Sequence, residues 1–455
     1  MNNNPMNILV IMCDQLRYDA ISSNGNPYVK TPNLDRLAKK SVNFTSAYTT
    51  SPLCAPVRYT MATGLLPYNH GVIDNHKMHI PGIRTIAHVL GEKGYASSNM
   101  GHMHWNDEDL WDTGYDERLA RDIDVTKFTK RELTRLNWEL SSPLDSYVGG
   151  PGTMGKERYW SWFTKNEAVR KLREYKEGDK PFLCWCSFHE PHPPFYAPRD
   201  LYESIDKDSL PLPKMPPVDA PPAHPSVQEK TKAFAHLTNY EHRQYKGAYY
   251  ALTQMVDEFV GDVLNTLDEL DLWKDTMVLF TIDHGDQMGD HGLYSKFVFR
   301  EASVHAPFMV YHPDYTPGVR DQFVLHSDVF PTLCDFAGAE IPDYCQGSSL
   351  RALLEKDETP QGWRKHAVST NSTNFMYRTK KWKLNMFAGE PGELYDMEND
   401  PDEFYNLING EKYKDIVAEL EAAFHETYPG ALEKSVHIDT HGPVRRPKRK
   451  IKYDV

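Results

Sequence analysis

Apolar and polar positions fall into two textures along this chain. The runs 7–12, 181–187, 277–282 and 307–311 are almost uninterrupted apolar segments, which predicts parallel strands buried on both faces. Between them, apolar residues recur at helical spacing over 33–40, 84–93, 166–176 and 240–270. Gly94 reads as the stop signal of the second. Strands alternating with helices predict an α/β fold: a large doubly wound, mostly parallel sheet flanked by helices. In such sheets, sites form beyond the carboxyl ends of the strands.

Two segments break the pattern. Residues 208–226, DSLPLPKMPPVDAPPAHPS, are too proline-rich for regular structure and predict an ordered surface loop or lid. From about Trp363 the runs shorten. Segments 366–370, 375–378 and 382–387 predict antiparallel strands, and a helix is predicted over 412–427. The chain therefore divides into a catalytic-sized unit, 1–360, and a small C-terminal α+β unit, 361–455, with a short antiparallel sheet. The tail RRPKRKIKYDV is basic and reads as a solvated arm, or as one that packs on a second copy in a homo-oligomer.

Composition narrows the partners. The formal net charge of −13 argues against nucleic acid. No run approaches the roughly 20 apolar residues of a membrane span. The start, MNNNPMNILVIMCDQ, lacks the basic region and cleavage site of a signal peptide, so a cytoplasmic location is expected. The six cysteines are sparse and show no disulfide framework. Cys184 and Cys186 would share one strand face as core packing.

Five polar clusters carry chemistry. Asp14 and Gln15 follow the first apolar run, and Asp283 and His284 follow another, in TIDHGDQMGDHGLYSK. Each pair alone could be a capped turn; together they could form a four-donor cage for Ca²⁺, Mg²⁺ or Mn²⁺. SFHEPHPPF places His189 and His192 on a proline-stiffened loop, and GHMHW places His102 and His104 on one face of an extended segment. The fifth is SPLCAPVRYTMATG. Pro56 suits the first turn of a helix, Cys54 would sit at its N-terminus, and Arg58 would lie on the same face. That stretch fits either a buried cap or an activated thiol.

In combination these pieces resemble the sulfatase family of the alkaline phosphatase-like superfamily. CAPVR matches its C-x-P-x-R signature, in which a maturing enzyme oxidises the cysteine to formylglycine. TPNLDRLAKKSVNFTSAY and MATGLLPYNHGV resemble the stretches around that signature, and GELYDMENDPDEFYNL resembles the family's C-terminal hairpin. The resemblance implies that Asp14, Gln15, Asp283, His284 and the modified Cys54 hold one divalent metal, Ca²⁺ in first place and Mn²⁺ or Mg²⁺ otherwise. It further implies that Arg58 and His104 hold the aldehyde hydrate. His192 and Lys296 would grip the sulfate and its leaving group, and Asn75 would contact the transferred group. The implied activity is hydrolysis of a small-molecule or saccharide sulfate ester, with a formylglycine-generating enzyme as partner.

Two departures matter. His102 stands where most sulfatases have lysine, so its charge is expected to depend on pH. The D-Q and D-H pairs resemble choline sulfatases and phosphonate monoester hydrolases. A phosphonate monoester or phosphodiester hydrolase on the same site is therefore the alternative activity. A non-catalytic anion-binding relative with unmodified Cys54 is a second. Trp105, Trp111, Trp138 and Trp160 could stack on a sugar or cage a quaternary ammonium, and equally could be core.

Overall fold

The computed structural model describes residues 5–105, 112–119 and 149–442. In chain order the first strands are β1 (Asn7–Asp14), β2 (Val42–Tyr48), β3 (Ala96–Gly101), β4 (Glu117–Leu119) and β5 (Gly149–Pro151). They are followed by β6 (Phe182–Pro191), β7 (Phe195–Ala197), β8 (Thr276–Ile282), β9 (Met309–Tyr311) and β10 (Gly318–Leu325). Among the described residues, eight of these form one sheet in the order β10-β2-β9-β8-β1-β6-β3-β4, and β5 pairs with β7 in a separate ribbon.

The apolar runs explain why β1, β6 and β8 lie at the centre. Alternate residues of a strand point to opposite faces. Leu9, Ile11 and Cys13 of β1 join Cys184 and Cys186 of β6 and Phe280 of β8 in one core. Ile8, Val10 and Met12 join Leu183, Trp185 and Leu279 in the other. The paired cysteines therefore pack in the core, as their spacing predicts. The long helix Asn239–Glu269 and the helix Trp160–Glu177 cover the first face, and helices Cys54–Thr63, Ile86–Gly91 and Val329–Phe336 cover the second.

One strand departs from the expected direction. The run 307–311 gives β9, which pairs antiparallel with both β8 and β2. A parallel return needs a crossover, usually a full helix. Segment 283–308 holds only the four-residue helix Glu301–Val304 and a single 3₁₀ turn, so the chain re-enters the sheet reversed. The sheet is mostly parallel but mixed.

The C-terminal part forms a four-stranded antiparallel sheet, β11 (His366–Asn371), β12 (Asn374–Thr379), β13 (Trp382–Phe387) and β14 (Glu390–Asp396), with helices Lys414–Thr427 and Ala431–His441. It is packed against the large sheet by a shared apolar core that includes Tyr48, Phe323, Phe375, Leu384 and Phe424. A buried ionic seam adds to it. Lys383 Nζ lies 2.8 Å from Glu403 Oε1 and 2.9 Å from Glu301 Oε1. Arg300 Nη1, 3.9 Å from Glu403 Oε1, and Arg378 Nε, 3.7 Å from Glu301 Oε1, supply the remaining positive charge, which is what makes burial of such groups tolerable. The proline-rich segment 208–226 is irregular apart from a 3₁₀ turn at its start and the helix Pro225–Thr231 at its end. The basic tail, Trp111 and Trp138 lie outside the described residues. Among the described residues, no helix is long and apolar enough to cross a membrane.

Candidate active site

Four parallel strands, β8, β1, β6 and β3, deliver their carboxyl ends side by side. Cys13 of β1 is in register with Ile282 of β8, so Asp14 and Asp283 emerge as neighbours. Gln15 follows in the left-handed region, with φ 63°. That turn brings its backbone N–H to Asp283 Oδ1 at 2.9 Å. The end of β3 turns at Gly101, φ +85°, where a Cβ would lie 2.1 Å from the Ser187 carbonyl oxygen. Only glycine fits there, and the turn releases His102 and His104 beside the end of β6.

Cys54 begins the helix Cys54–Thr63, all ten residues of which are buried. Its Sγ lies 3.2 Å from His284 Nε2, 3.2 Å from Lys296 Nζ and 3.9 Å from Asp14 Oδ1. Donor atoms of Asp14, Cys54, Asp283 and His284 all lie within 4.8 Å of one another. The His284 Nδ1–H donates to the Gly285 carbonyl at 3.0 Å, so the Nε2 lone pair faces the cluster. A carbonyl on the far nitrogen is how a metal-ligating imidazole is oriented. These donors fit a divalent cation.

Arg58 is buried in the middle of the cluster. Its guanidinium binds Asp14 at 3.0 Å and Asp283 at 2.8 Å, and Nη1 donates to Ser187 Oγ at 2.8 Å and to the His102 carbonyl. It braces the two carboxylates, and Lys296 is the cation in contact with the thiol. Burial would raise both carboxyls. At Asp14 burial and the Asp283 charge win and the group is pushed up. At Asp283, His284, Arg58 and Lys296 overcome burial and hold it well below the usual carboxylate range. A divalent cation between such a pair relieves the repulsion that separates them.

Gln15 is held from both sides. Its Nε2 donates to Asp286 Oδ2, and its Oε1 accepts from Lys296 Nζ at 2.6 Å. Asp286 lay inside the DHGDQ stretch, but nothing local tells that it reaches a residue 271 positions earlier. Asn75 is also specific in its placement. Its Oδ1 accepts the Ala55 N–H at 3.0 Å, so it satisfies an orphan donor in the first turn of the helix Cys54–Thr63.

The histidines gather on one wall. Ring centroids are 5.1 Å apart for His102–His104, 5.1 Å for His102–His189 and 4.9 Å for His189–His192. Trp160 lies 4.4 Å from His189. His104 reaches the wall through a left-handed backbone, φ 54°, and not along an extended segment as its spacing predicts. The pH-dependent charge expected at His102 is also revised. Burial, then Arg58 and the neighbouring imidazoles, push it well below the ordinary histidine value, so it is neutral near pH 7. Burial and Lys296 do the same to His192. His192 Nδ1 donates to the Pro193 carbonyl at 2.8 Å, which leaves Nε2 as its second functional atom.

A family model described as Sulfatase matches residues 6–339. The chain belongs to the sulfatase family. A second model, described as the C-terminal part of N-sulphoglucosamine sulphohydrolase, matches residues 289–428. Among curated relatives, an arylsulfatase of Clostridium perfringens is 31% identical over 450 residues, covering 90% of this chain and 92% of the relative. A choline-sulfatase of Rhizobium meliloti is 32% identical over 422 residues, covering 88% and 82%. The fold is shared with a phosphonate monoester hydrolase of Agrobacterium radiobacter, with TM-score 0.80, 24% identity and coverage of 94% and 96%.

Proposed function

We propose that this sulfuric ester hydrolase acts through an aldehyde made by oxidation of Cys54, on the sulfate monoester of a small alcohol or a sugar. The observation that carries the reading is Cys54 Sγ within 3.2 Å of both His284 and Lys296, in a buried cluster with two carboxylates. Asp14, Gln15, Asp283, His284 and the oxidised residue 54 would hold one divalent cation. The hard oxygen donors favour Ca²⁺, with Mn²⁺ and Mg²⁺ as the other candidates. A cation there would withdraw charge from a sulfate oxygen and acidify a hydroxyl on residue 54.

The chain's own groups supply the rest. Arg58 locks the two carboxylates in place. Lys296 brings a positive charge to the transferred group as charge moves to the leaving oxygen. Lys296 delivers the proton to that oxygen, or His192 does once the charge of a bound ester has raised it enough to carry a second proton at Nε2. Asn75 holds the nucleophile helix at its first turn. His104, beside His102, borders the transferred group. The half-buried wall of Trp160, His189 and His102 offers flat surfaces to the leaving group.

The test is a comparison of kcat/KM at matched pH for an aryl sulfate and an aryl phosphodiester, using protein co-expressed with a formylglycine-generating enzyme. A preference for the sulfate is expected. A clear preference for the phosphodiester would overturn the reading, and a Cys54 left unoxidised after that co-expression would favour a non-catalytic anion binder.

A further inference from the structure

Lys296 stands on an unusual piece of backbone. Its two neighbours, Ser295 at φ 70° and Phe297 at φ 74°, both occupy the left-handed region, and neither is glycine. Such conformations persist only where the surroundings over-determine them. The upstream side is held within the large unit: the Gln287 N–H donates to the Ser295 carbonyl at 2.8 Å, and the Ser295 N–H reaches Asp286 Oδ1 at 3.3 Å. On the downstream side the Phe297 N–H donates to the Pro52 carbonyl at 3.3 Å. The Phe297 carbonyl accepts from Asn371 Nδ2 at 2.8 Å.

Asn371 is the last residue of β11, at the tip of the first hairpin of the C-terminal sheet. Its neighbours bond to other loops of the site. The Thr370 N–H donates to the Thr50 carbonyl at 2.9 Å, on the segment that leads into Cys54. The Ser372 N–H donates to the Ile73 carbonyl at 3.3 Å, two residues before Asn75. Three consecutive residues of one hairpin thus each grip a different loop: that of Cys54, that of Asn75 and that of Lys296. Beyond Phe297, Arg300 Nη1 donates to the Glu403 carbonyl at 3.0 Å and the Glu301 N–H donates to Glu403 Oε2 at 2.7 Å, so the Lys296 segment is tied to the C-terminal part at several points.

We propose that the β11–β12 hairpin tip is a clamp that sets the three catalytic loops against one another, and that Asn371 is a positioning residue for Lys296. Asn371 acts through the Phe297 carbonyl. Its amide fixes the peptide that follows Lys296, and so the height at which the ammonium meets Gln15 Oε1 and residue 54. The catalytic half of this proposal rests on the role given to Lys296 above; the mechanical half does not.

The experiment uses the full-length, oxidised, metal-loaded protein and the variants Asn371→Ala and Asn371→Asp, the second keeping the size while removing the donor. Amide hydrogen exchange of the peptide spanning 294–299 is expected to quicken by about tenfold or more in both, with exchange in the central strands unchanged. A misplacement of an ångström at a reacting group costs about 100-fold, so kcat on an aryl sulfate should fall by about 10- to 100-fold with little change in KM. In a Lys296→Ala background the same substitutions should add less than about twofold, because the route through Lys296 is already gone. Unchanged exchange at 294–299 overturns the clamp. A full additional loss in the Lys296→Ala background overturns the positioning role and indicates direct contact with substrate. Wild-type activity of Lys296→Ala alone overturns the role of Lys296 in the proposed function, and leaves the exchange result to decide the clamp.

Discussion

Asp286 decides which end of the Gln15 carboxamide faces the site. Its Oδ2 takes the Gln15 Nε2–H, while its Oδ1 takes the Met288 N–H at 2.7 Å and the Ser295 N–H at 3.3 Å. With both oxygens accepting, only the Gln15 oxygen is left to turn toward Lys296 and the cluster. In Asp286→Asn, the new carboxamide must keep its oxygen on those backbone donors and present its nitrogen to Gln15. Gln15 then has to flip. Metal affinity should fall by about 10- to 100-fold, measured by calorimetric Ca²⁺ titration. An unchanged affinity would remove Gln15 from the ligand set.

Oxidation of Cys54 has a direct signature. Conversion of the thiol to the aldehyde lowers the intact mass by about 18 Da, in protein co-expressed with the maturing enzyme. Cys54→Ser should fold, bind metal and lose turnover by about a thousandfold, since a serine cannot regenerate itself by expelling sulfate. Near-normal turnover of that variant would end the aldehyde account.

Chelation should lower the Tm, because the cation binds only the folded donor set. A metal present at 100 times its Kd stabilises by about 2.7 kcal/mol. Adding back Ca²⁺ should restore both Tm and activity. Recovery with Mn²⁺ but not Ca²⁺ would reassign the ion.

Loss of the proton donor should depend on the leaving group. If Lys296 protonates the leaving oxygen, Lys296→Ala should cost about 10²- to 10⁴-fold with an alkyl sulfate and far less with a nitrophenyl sulfate, whose oxygen needs no proton. The same comparison on His192→Ala identifies which of the two residues gives the proton; an equal loss on both esters would assign Lys296 to binding the sulfate.

His70 makes the fold acid-sensitive. It is fully buried, its Nδ1 accepts the Val72 N–H at 3.1 Å, and its Nε2 faces the Pro56 carbonyl at 3.1 Å. Burial depresses its pKa to about 3 from the ordinary 6.5. The unfolded chain therefore takes the proton first. The stabilisation is fully present above about pH 6.5 and is lost as pH falls toward 3, at up to about 1.4 kcal/mol per unit. Urea unfolding of His70→Gln should show a flatter pH dependence between pH 4 and 6, with stability at pH 7 lower by about 1–2 kcal/mol.

The strand-end pairs were legible in the sequence because each sits where an apolar run stops at a charged residue. The rule that sites gather at strand ends marks Asp14–Gln15 and Asp283–His284 as candidates, and the family resemblance is what joins the two pairs into one set. Less was legible where the partner lies far along the chain. Strand β2, VNFTSAY, alternates buried and half-buried positions only over Val42–Thr45 and ends on two buried residues, and as a sequence it reads only as part of a family stretch. Strand β10 is polar over its first half and escaped notice for that reason. The direction of β9 depends on the connection before it and not on its three residues. The contacts of Asp286, Asn371 and Arg58 with Gln15, Phe297 and the two carboxylates are long-range pairings, and no local spacing encodes them. The helix Trp160–Glu177 begins earlier than its amphipathic stretch predicts, since its first turn has no side-chain cap to announce it.

The burial of Cys54 orders events in time. In the finished fold the residue is 2% exposed, inside a helix with no exposed residue. An enzyme that must reach its sulfur has no path through that wall. If a maturing enzyme makes the proposed aldehyde, its oxidation of Cys54 is expected on the nascent chain, before β8 arrives to close the cluster. Asp283 is made 229 residues after Cys54, which at ribosomal speeds leaves roughly 10–50 s. Whatever delays β8 lengthens the opportunity for maturation, and whatever hastens collapse around the N-terminal strands shortens it.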